Sequence, residues 1–156
     1  LLPDGTIPQV EMTSCGLNYG PLAGRGTYPA VICCNLTNGK MPHTTEVKDA
    51  KIPYIVCKNG ERIITEVENN TMIGYKYFSF DNVKTIGITV RDLDNPKGKI
   101  LIRLSENGEA IAEIPLQGAS EWTTFSTAVS IENGTYPLYF VYTGEGEIEV
   151  KDICMQ

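Results

Sequence analysis

The feature that most limits the fold of this 156-residue chain is a series of short segments in which hydrophobic residues recur at every second position. In residues 99–104, Ile100, Ile102 and Leu104 share one parity. This period places alternate side chains on opposite faces of a β-strand. Asn-Gly pairs, which readily adopt the positive φ angles of tight hairpins, separate such segments and begin at Asn38, Asn59, Asn107 and Asn133. The pattern predicts antiparallel hairpins.

The strand pattern extends over the last two thirds of the chain, and no segment shows a clear 3.6-residue apolar period. Many short strands bury their apolar faces when two antiparallel sheets pack against each other. The sequence therefore predicts an all-β sandwich. The predicted strands cover residues 54–57, 62–68, 72–80, 84–91, 99–105, 109–116, 122–129, 136–142 and 146–154.

Residues 1–50 differ from the rest, because they are rich in Gly, Pro, Asn and Thr and contain only brief apolar runs. We interpret them as a connector or arm that packs on a sandwich formed by residues 51–156. The chain begins with Leu1, just before a Pro-Asp-Gly turn. This start suggests that the chain was cut from a longer polypeptide, with another domain preceding it.

Charge and hydropathy exclude two classes of partner. The formal net charge is -6 and the pI is about 4.8, whereas nucleic-acid binding depends on clustered Lys and Arg. No apolar run approaches the roughly 20 residues that span a bilayer. We therefore expect neither a nucleic acid nor a membrane as partner.

The cysteines and the single histidine offer little for catalysis or metal binding. Five cysteines are an odd number, and two of them, Cys33 and Cys34, are adjacent in an apolar run. They are interpreted either as reduced, buried residues or as one disulfide plus free thiols. His43, the only histidine, lies in a polar stretch, and no Cys-x-x-Cys spacing occurs. We expect no zinc site and no nucleophile-histidine arrangement.

The aromatic residues are the best candidates for a binding function. In MIGYKYFSF, the alternation predicts Tyr75 and Tyr77 on one face and Phe78 and Phe80 on the other. Trp122, the only tryptophan, follows a polar loop and opens a predicted strand. Its ring has two interpretations, as part of the core or as an exposed face for a ligand such as a sugar.

Three segments in succession, GYKYFSFDNVKTIGITVRD, GKILIRLSENGEAIAEIPL and EWTTFSTAVSIENGTYPLYFVYTGEGEIEVKDI, resemble the carbohydrate-binding modules of family 6. The resemblance covers residues 62–156. The opening part, DGTIPQVEMTSCGLNYGPLAGRGTYPAVICCNL, is similar to the segment after the catalytic β-propeller in family 43 glycoside hydrolases of the arabinofuranosidase and xylosidase type. The resemblance implies a jelly-roll, galactose-binding-like sandwich attached to an enzyme that degrades plant polysaccharides.

In that family two aromatic rings and an Asn bind a sugar at the loops of one edge. The resemblance places Trp122 at one aromatic position, Glu66 at the other, and Glu149 near the Asn. One indole face covering about 100 Å² contributes roughly 2.5 kcal/mol, whereas association costs on the order of 4 kcal/mol or more. Weak binding of xylan or arabinoxylan would therefore need further contacts from Glu66, Asn69, Glu149 or Tyr77.

The altered site leaves a second hypothesis open, a non-catalytic domain that has lost sugar binding and stabilises the catalytic propeller. Family 6 modules also commonly carry a structural calcium held by acids of the first and last strands. The paired glutamates of the first strand are not recognisable here, and Lys151 falls near the position of the late acid. We therefore expect no cofactor and no calcium at that place.

Overall fold

The computed structural model of the chain describes residues 3–6, 11–17, 20–40, 51–92 and 97–156. These residues form two six-stranded sheets. Sheet A contains β1 (Leu22–Ala23), β3 (Asn35–Thr37), β6 (Met72–Phe80), β8 (Lys97–Arg103), β9 (Ala112–Leu116) and β11 (Gly134–Glu145). Sheet B contains β2 (Gly26–Pro29), β4 (Tyr54–Lys58), β5 (Glu61–Val67), β7 (Thr85–Asp92), β10 (Thr123–Ala128) and β12 (Ile148–Met155).

The prediction of an all-β sandwich is confirmed, and all nine strands predicted from the sequence are present, with ends that differ by three residues or fewer. The order is β1-β6-β11-β8-β9 in sheet A and β10-β7-β12-β5-β4 in sheet B, and neighbours on these paths are antiparallel except β1 and β6. The one described helix is a 3₁₀ turn, Ala30–Ile32. This helix is not long and apolar enough to cross a bilayer.

The core lies between the two sheets and is built from the inward-facing side chains of each strand. In β7, Ile86, Ile88 and Val90 are fully buried, whereas Thr89 and Arg91 face outward. Alternation of this kind is what one buried face per sheet requires. Other large side chains with almost no exposure are Tyr75, Phe78, Phe80, Phe140, Tyr142, Ile100, Ile102 and Ile153.

Strand β6 departs from simple alternation, so the predicted face of Tyr75 is wrong, whereas Phe78 and Phe80 share one face as predicted. Tyr75 lies in the core with Phe78 and Phe80, while Tyr77 faces outward. The pairing with β11 shifts between Phe78 and Tyr75, because β6 carries one more residue there than its partner. An extra residue of this kind moves the side chains beyond it to the opposite face of the sheet, so Tyr75 and Phe78 point the same way.

The described parts of residues 1–50 contribute strands to both sheets. β1 and β3 pair with different parts of the same edge of β6, and β2 pairs with β12 from Asp152 onward. β12 pairs with β5 only at Ile148 and Val150. Lys151 therefore lies where one side of β12 changes its partner from β5 to β2. The register of β12 with β7, on its other side, also shifts there.

Candidate functional site

Trp122 directly precedes β10, the strand at one edge of sheet B. The register of β10 on β7 pairs Thr123 with Val90 and Phe125 with Ile88, so these residues share the inward face. Phe125 packs against the core. Trp122, one position before Thr123, has the opposite parity, and its partly buried ring lies on the outer face of sheet B.

Two cations of the protein itself lie over the indole ring. The guanidinium Cζ of Arg91 is 4.6 Å from the ring centroid, and Lys151 Nζ is 5.7 Å from it. Contacts of this kind contribute about 0.5–1 kcal/mol at exposed sites and more when water is excluded. Trp122 therefore has an intramolecular partner and is not a bare aromatic platform.

Glu149 lies beside Arg91 on the same face, and its side chain is completely inaccessible to solvent. Oε2 accepts hydrogen bonds from Nε and Nη2 of Arg91, the first at 3.0 Å. Oε1 accepts from Lys58 Nζ at 2.5 Å and from the Thr65 hydroxyl at 3.3 Å. Burial raises the pKa of Glu149, but the hydrogen bonds from Lys58 and Arg91 outweigh it and hold the pKa below its ordinary value.

A second aromatic residue completes a row across the outer face of sheet B. Thr65 on β5 pairs with Tyr54 on β4, so both point outward with Glu149. Tyr54 is 48% exposed. The row runs from Trp122 through Arg91, Glu149 and Thr65 to Tyr54. Four inter-strand steps of about 4.8 Å separate the two aromatic ends by roughly 19 Å.

We call Trp122, Arg91, Glu149, Lys58 and Lys151 the Trp122 cluster. It unites two of the residues singled out in the sequence, Trp122 and Glu149. The three cations were not among the predicted site residues, although Arg91 alternates with the apolar Ile88 and Val90 in the sequence. The contacts of Lys58 with Glu149 join positions 91 residues apart, and no local pattern reports such a pair.

Glu66 and Asn69 lie elsewhere. Glu66 is the last residue but one of β5, and Asn69 belongs to the turn that joins β5 to β6. The backbone N–H of Glu66 donates to Glu147 Oε1 at 3.1 Å, and Glu66 Oε2 accepts from the Ile52 N–H at 3.3 Å. Asn69 Oδ1 accepts from the Gly144 N–H at 3.0 Å. Both residues therefore already use polar groups within the chain.

An open pocket of about 270 Å³ lies at the turns that join β5 to β6 and β11 to β12, and we call it the loop-edge pocket. Its lining includes Lys51, Glu68, Asn69 and Glu147. Lys51 Nζ lies 3.0 Å from Glu68 Oε1 and 3.5 Å from Glu147 Oε2. The pocket is thus lined by acidic groups and by a lysine of the chain, and neither Trp122 nor Glu66 is among its lining residues.

Tyr77 is not brought near Trp122. It lies on the outer face of sheet A, where its hydroxyl donates to Glu11 Oε2 at 2.9 Å. The neighbouring Lys76 Nζ pairs with Glu11 Oε1 at 2.6 Å. Tyr77 therefore helps to attach the segment around Glu11 to the sandwich.

The described residues contain no group of three or more His, Cys, Asp or Glu side chains arranged to hold a metal ion. Lys151, which the resemblance places near the family's late acid, pairs with Glu61 Oε1 at 2.5 Å, and an ammonium group offers no oxygen ligand to calcium. None of the five cysteines forms a disulfide, as the first of the two interpretations requires, but only Cys15 is buried and Cys57 is exposed. His43 lies outside the described residues.

One curated relative matches almost the whole chain. A xylosidase/arabinosidase from Thermoclostridium stercorarium is 37% identical over 164 residues, which cover 99% of this chain and 34% of that protein. The chain thus spans about a third of the length of this relative. No protein-family model matches the chain.

Several solved structures share the fold. A family 6 module from Clostridium stercorarium in complex with cellobiose superposes with a TM-score of 0.70 at 16% identity, covering 89% of this chain and 98% of that one. A family 6 module from Clostridium cellulolyticum in complex with xylose gives 0.70 at 20% identity, with coverage of 86% and 98%. A family 43 arabinoxylan arabinofuranohydrolase from Bacillus subtilis in complex with cellotetraose gives 0.65 at 20% identity, covering 99% of this chain and 32% of that one.

The chain therefore has the fold of a family 6 carbohydrate-binding module, and the fold implied by the sequence resemblance is confirmed. The match to a third of a xylosidase/arabinosidase fits such a module within a longer glycoside hydrolase. The fold is that of the accessory module predicted from the sequence, and the match leaves about two thirds of the xylosidase/arabinosidase outside this chain.

Proposed function

We propose that this chain is a carbohydrate-binding module of a plant-polysaccharide glycoside hydrolase, and that it binds xylan-type chains weakly on the outer face of sheet B. The observation that carries the proposal is the row from Trp122 to Tyr54, with polar and charged groups between two aromatic side chains. Sugar rings present an apolar face edged with hydroxyls, and such a row offers partners to both.

The separation of the two aromatic residues determines the size of the ligand. A monosaccharide cannot contact both ends of a row about 19 Å long. An oligosaccharide lying across the strands would contact Trp122 and Tyr54 and pass over Arg91 and Lys58 between them. Each aromatic face adds roughly 2.5 kcal/mol if about 100 Å² is covered, so two faces bring the gross contact energy above the minimal cost of association.

Isothermal titration tests this proposal with xylose, with xylo-oligosaccharides of increasing length and with arabinoxylan. Affinity is expected to rise with chain length until both aromatic residues are in contact and then to level off. Trp122→Ala and Tyr54→Ala should each lower the affinity for long chains by about tenfold, since each removes a stacking face worth about 1–3 kcal/mol.

Tyr77→Ala is the matched control, because it removes an aromatic side chain from the outer face of sheet A. This variant should bind as the unmodified chain does. If no glycan produces heat at millimolar concentration, the proposal is wrong. If Tyr77→Ala abolishes binding while Trp122→Ala does not, the site lies on the other sheet.

A second function, a structural domain that stabilises an attached catalytic domain, is favoured by the occupied polar groups. Arg91 already covers part of the Trp122 ring, and Lys51 already neutralises acids of the loop-edge pocket. Deleting this chain from the parent hydrolase would then lower the thermal midpoint of the remaining enzyme. The binding function instead predicts an unchanged midpoint and reduced activity on insoluble polysaccharide only.

A further inference from the structure

The hydrogen-bonding capacity of the Trp122 cluster is unevenly distributed between acceptors and donors. Both oxygens of Glu149 are occupied by Arg91, Lys58 and Thr65, and no part of the carboxylate reaches solvent. A carboxylate has only acceptor positions, and burial under its partners leaves none of them to a ligand. Glu149 therefore cannot take the role of the sugar-binding Asn.

The cations around Glu149 retain N–H groups that face outward. An ammonium has three donors and a guanidinium has five. Lys58 uses one on Glu149, Arg91 uses two on the same carboxylate, and Lys151 uses one on Glu61. The side chains of Lys58, Arg91 and Lys151 are 46%, 32% and 30% exposed.

The charges beside Trp122 are of both signs, but the cations lie against its ring. Lys58, Arg91 and Lys151 accompany three carboxylates on the outer face of sheet B, Glu149, Glu61 and Asp152. Arg91 and Lys151 lie over the indole ring, whereas Glu149 has no solvent contact. A ligand on this ring therefore meets charged N–H donors, which favour a ligand that brings anionic acceptors.

We infer that the Trp122 cluster selects glycans that carry carboxylates, such as xylan chains substituted with uronic acids, over neutral chains of the same length. This inference rests on the proposed function, since it specifies the ligand of the same surface. A neutral chain gains stacking on the aromatic rings and hydrogen bonds from its hydroxyls. A uronic acid adds charge-assisted bonds from Lys151 and Arg91, which are stronger than bonds between neutral groups.

The test is a pair of titrations of the full chain at low salt. One ligand is a neutral xylo-oligosaccharide and the other has the same backbone with one glucuronic acid branch. The acidic ligand is expected to bind about fivefold more tightly, a modest factor because the cations are partly exposed. At 1 M salt, where the Debye length is about 3 Å, the two affinities should converge.

Lys151→Met removes one charge and preserves the aliphatic stem, so it should remove most of the preference for the acidic ligand. Lys99→Met is the matched control, because Lys99 also pairs with an exposed glutamate, Glu113, but lies on sheet A. The control should keep the full preference. Equal affinity for both ligands, or an undiminished preference in Lys151→Met, overturns the inference and leaves the proposed function standing. If neither ligand binds, the inference and the proposed function are both wrong.

Discussion

The guanidinium of Arg91 lies over the indole of Trp122 while two of its N–H groups bind the buried carboxylate of Glu149. One side chain thus links the only tryptophan to a glutamate without solvent contact. Because a planar guanidinium stacks and hydrogen-bonds at once, the position of the ring and the pairing of the carboxylate depend on each other.

Replacing Arg91 by Lys should expose the tryptophan. Lysine keeps the charge but cannot stack and bind a carboxylate with two N–H groups at once. We expect a red-shifted emission and stronger acrylamide quenching of the fluorescence in Arg91→Lys, since Trp122 is the only tryptophan. Lys99→Arg, a reciprocal change on sheet A, should leave both signals unaltered. Unchanged quenching in Arg91→Lys would show that the guanidinium does not cover the ring.

Glu149→Gln tests the contribution of the buried carboxylate to stability. The neutral amide cannot neutralise Arg91 and Lys58, and we expect a loss of about 2 kcal/mol in the free energy of unfolding near pH 7. The loss is below that of a deeply buried pair, because both cations reach solvent. Urea denaturation measures it. Glu113→Gln, in an exposed pair, should cost about 0.5 kcal/mol or less.

The pairing of Glu149 predicts that the stability of the folded chain depends on pH. The pKa of Glu149 is lower in the folded chain than its ordinary value of 4.5, so its stabilisation is complete above that value. It is lost as the pH falls through the folded-state pKa, where the carboxylate binds a proton. The difference in unfolding free energy between the unmodified chain and Glu149→Gln should therefore be constant from pH 6 to 8 and shrink below about pH 4.5. A difference that grows with acidity would contradict the assigned pairing.

Gly74→Ala should destabilise sheet A. A Cβ atom at this position would lie 2.6 Å from Cε1 of Tyr139 and 3.0 Å from Cβ of Asn35, with both neighbours held by strands. Overpacking of this kind typically costs about 1–3 kcal/mol. Gly20→Ala is the control, because a Cβ atom added there would have none of the described residues within 4 Å. Equal thermal midpoints for the two variants would mean that Tyr139 can move aside.

Cys57 should be the one thiol that reacts rapidly with an aromatic disulfide reagent. It is exposed on edge strand β4, whereas Cys15 is buried and the other three are partly buried. Burial and the adjacent Cys34 raise the pKa of Cys33 to about 11, which keeps its reactive thiolate scarce near neutral pH. One fast equivalent per chain is expected, and Cys57→Ser should remove it. Two or more fast equivalents would contradict the described burial.

Local patterns were enough to identify the strands but not to orient every residue. Alternation and Asn-Gly turns located nine strands of the sandwich, because each signal lies within a few neighbouring positions. The face of Tyr75 was assigned incorrectly, since the extra residue of β6 appears only when β6 is aligned with β11. The short strands of the first 40 residues were also missed, because two to four residues give no recognisable period.

The sequence by itself determined the class of fold, the family resemblance and the position of Trp122 at the start of a strand. These properties follow from residue types at short spacing. Only the tertiary structure decided the surroundings of that ring. Arg91 and Lys58 meet at Glu149, and Lys151 reaches the same indole ring as Arg91, because strands from distant parts of the chain lie side by side. Pairing between strands is a long-range property, so the partners of Trp122 and the charge of its surface arise from the packed sheet alone.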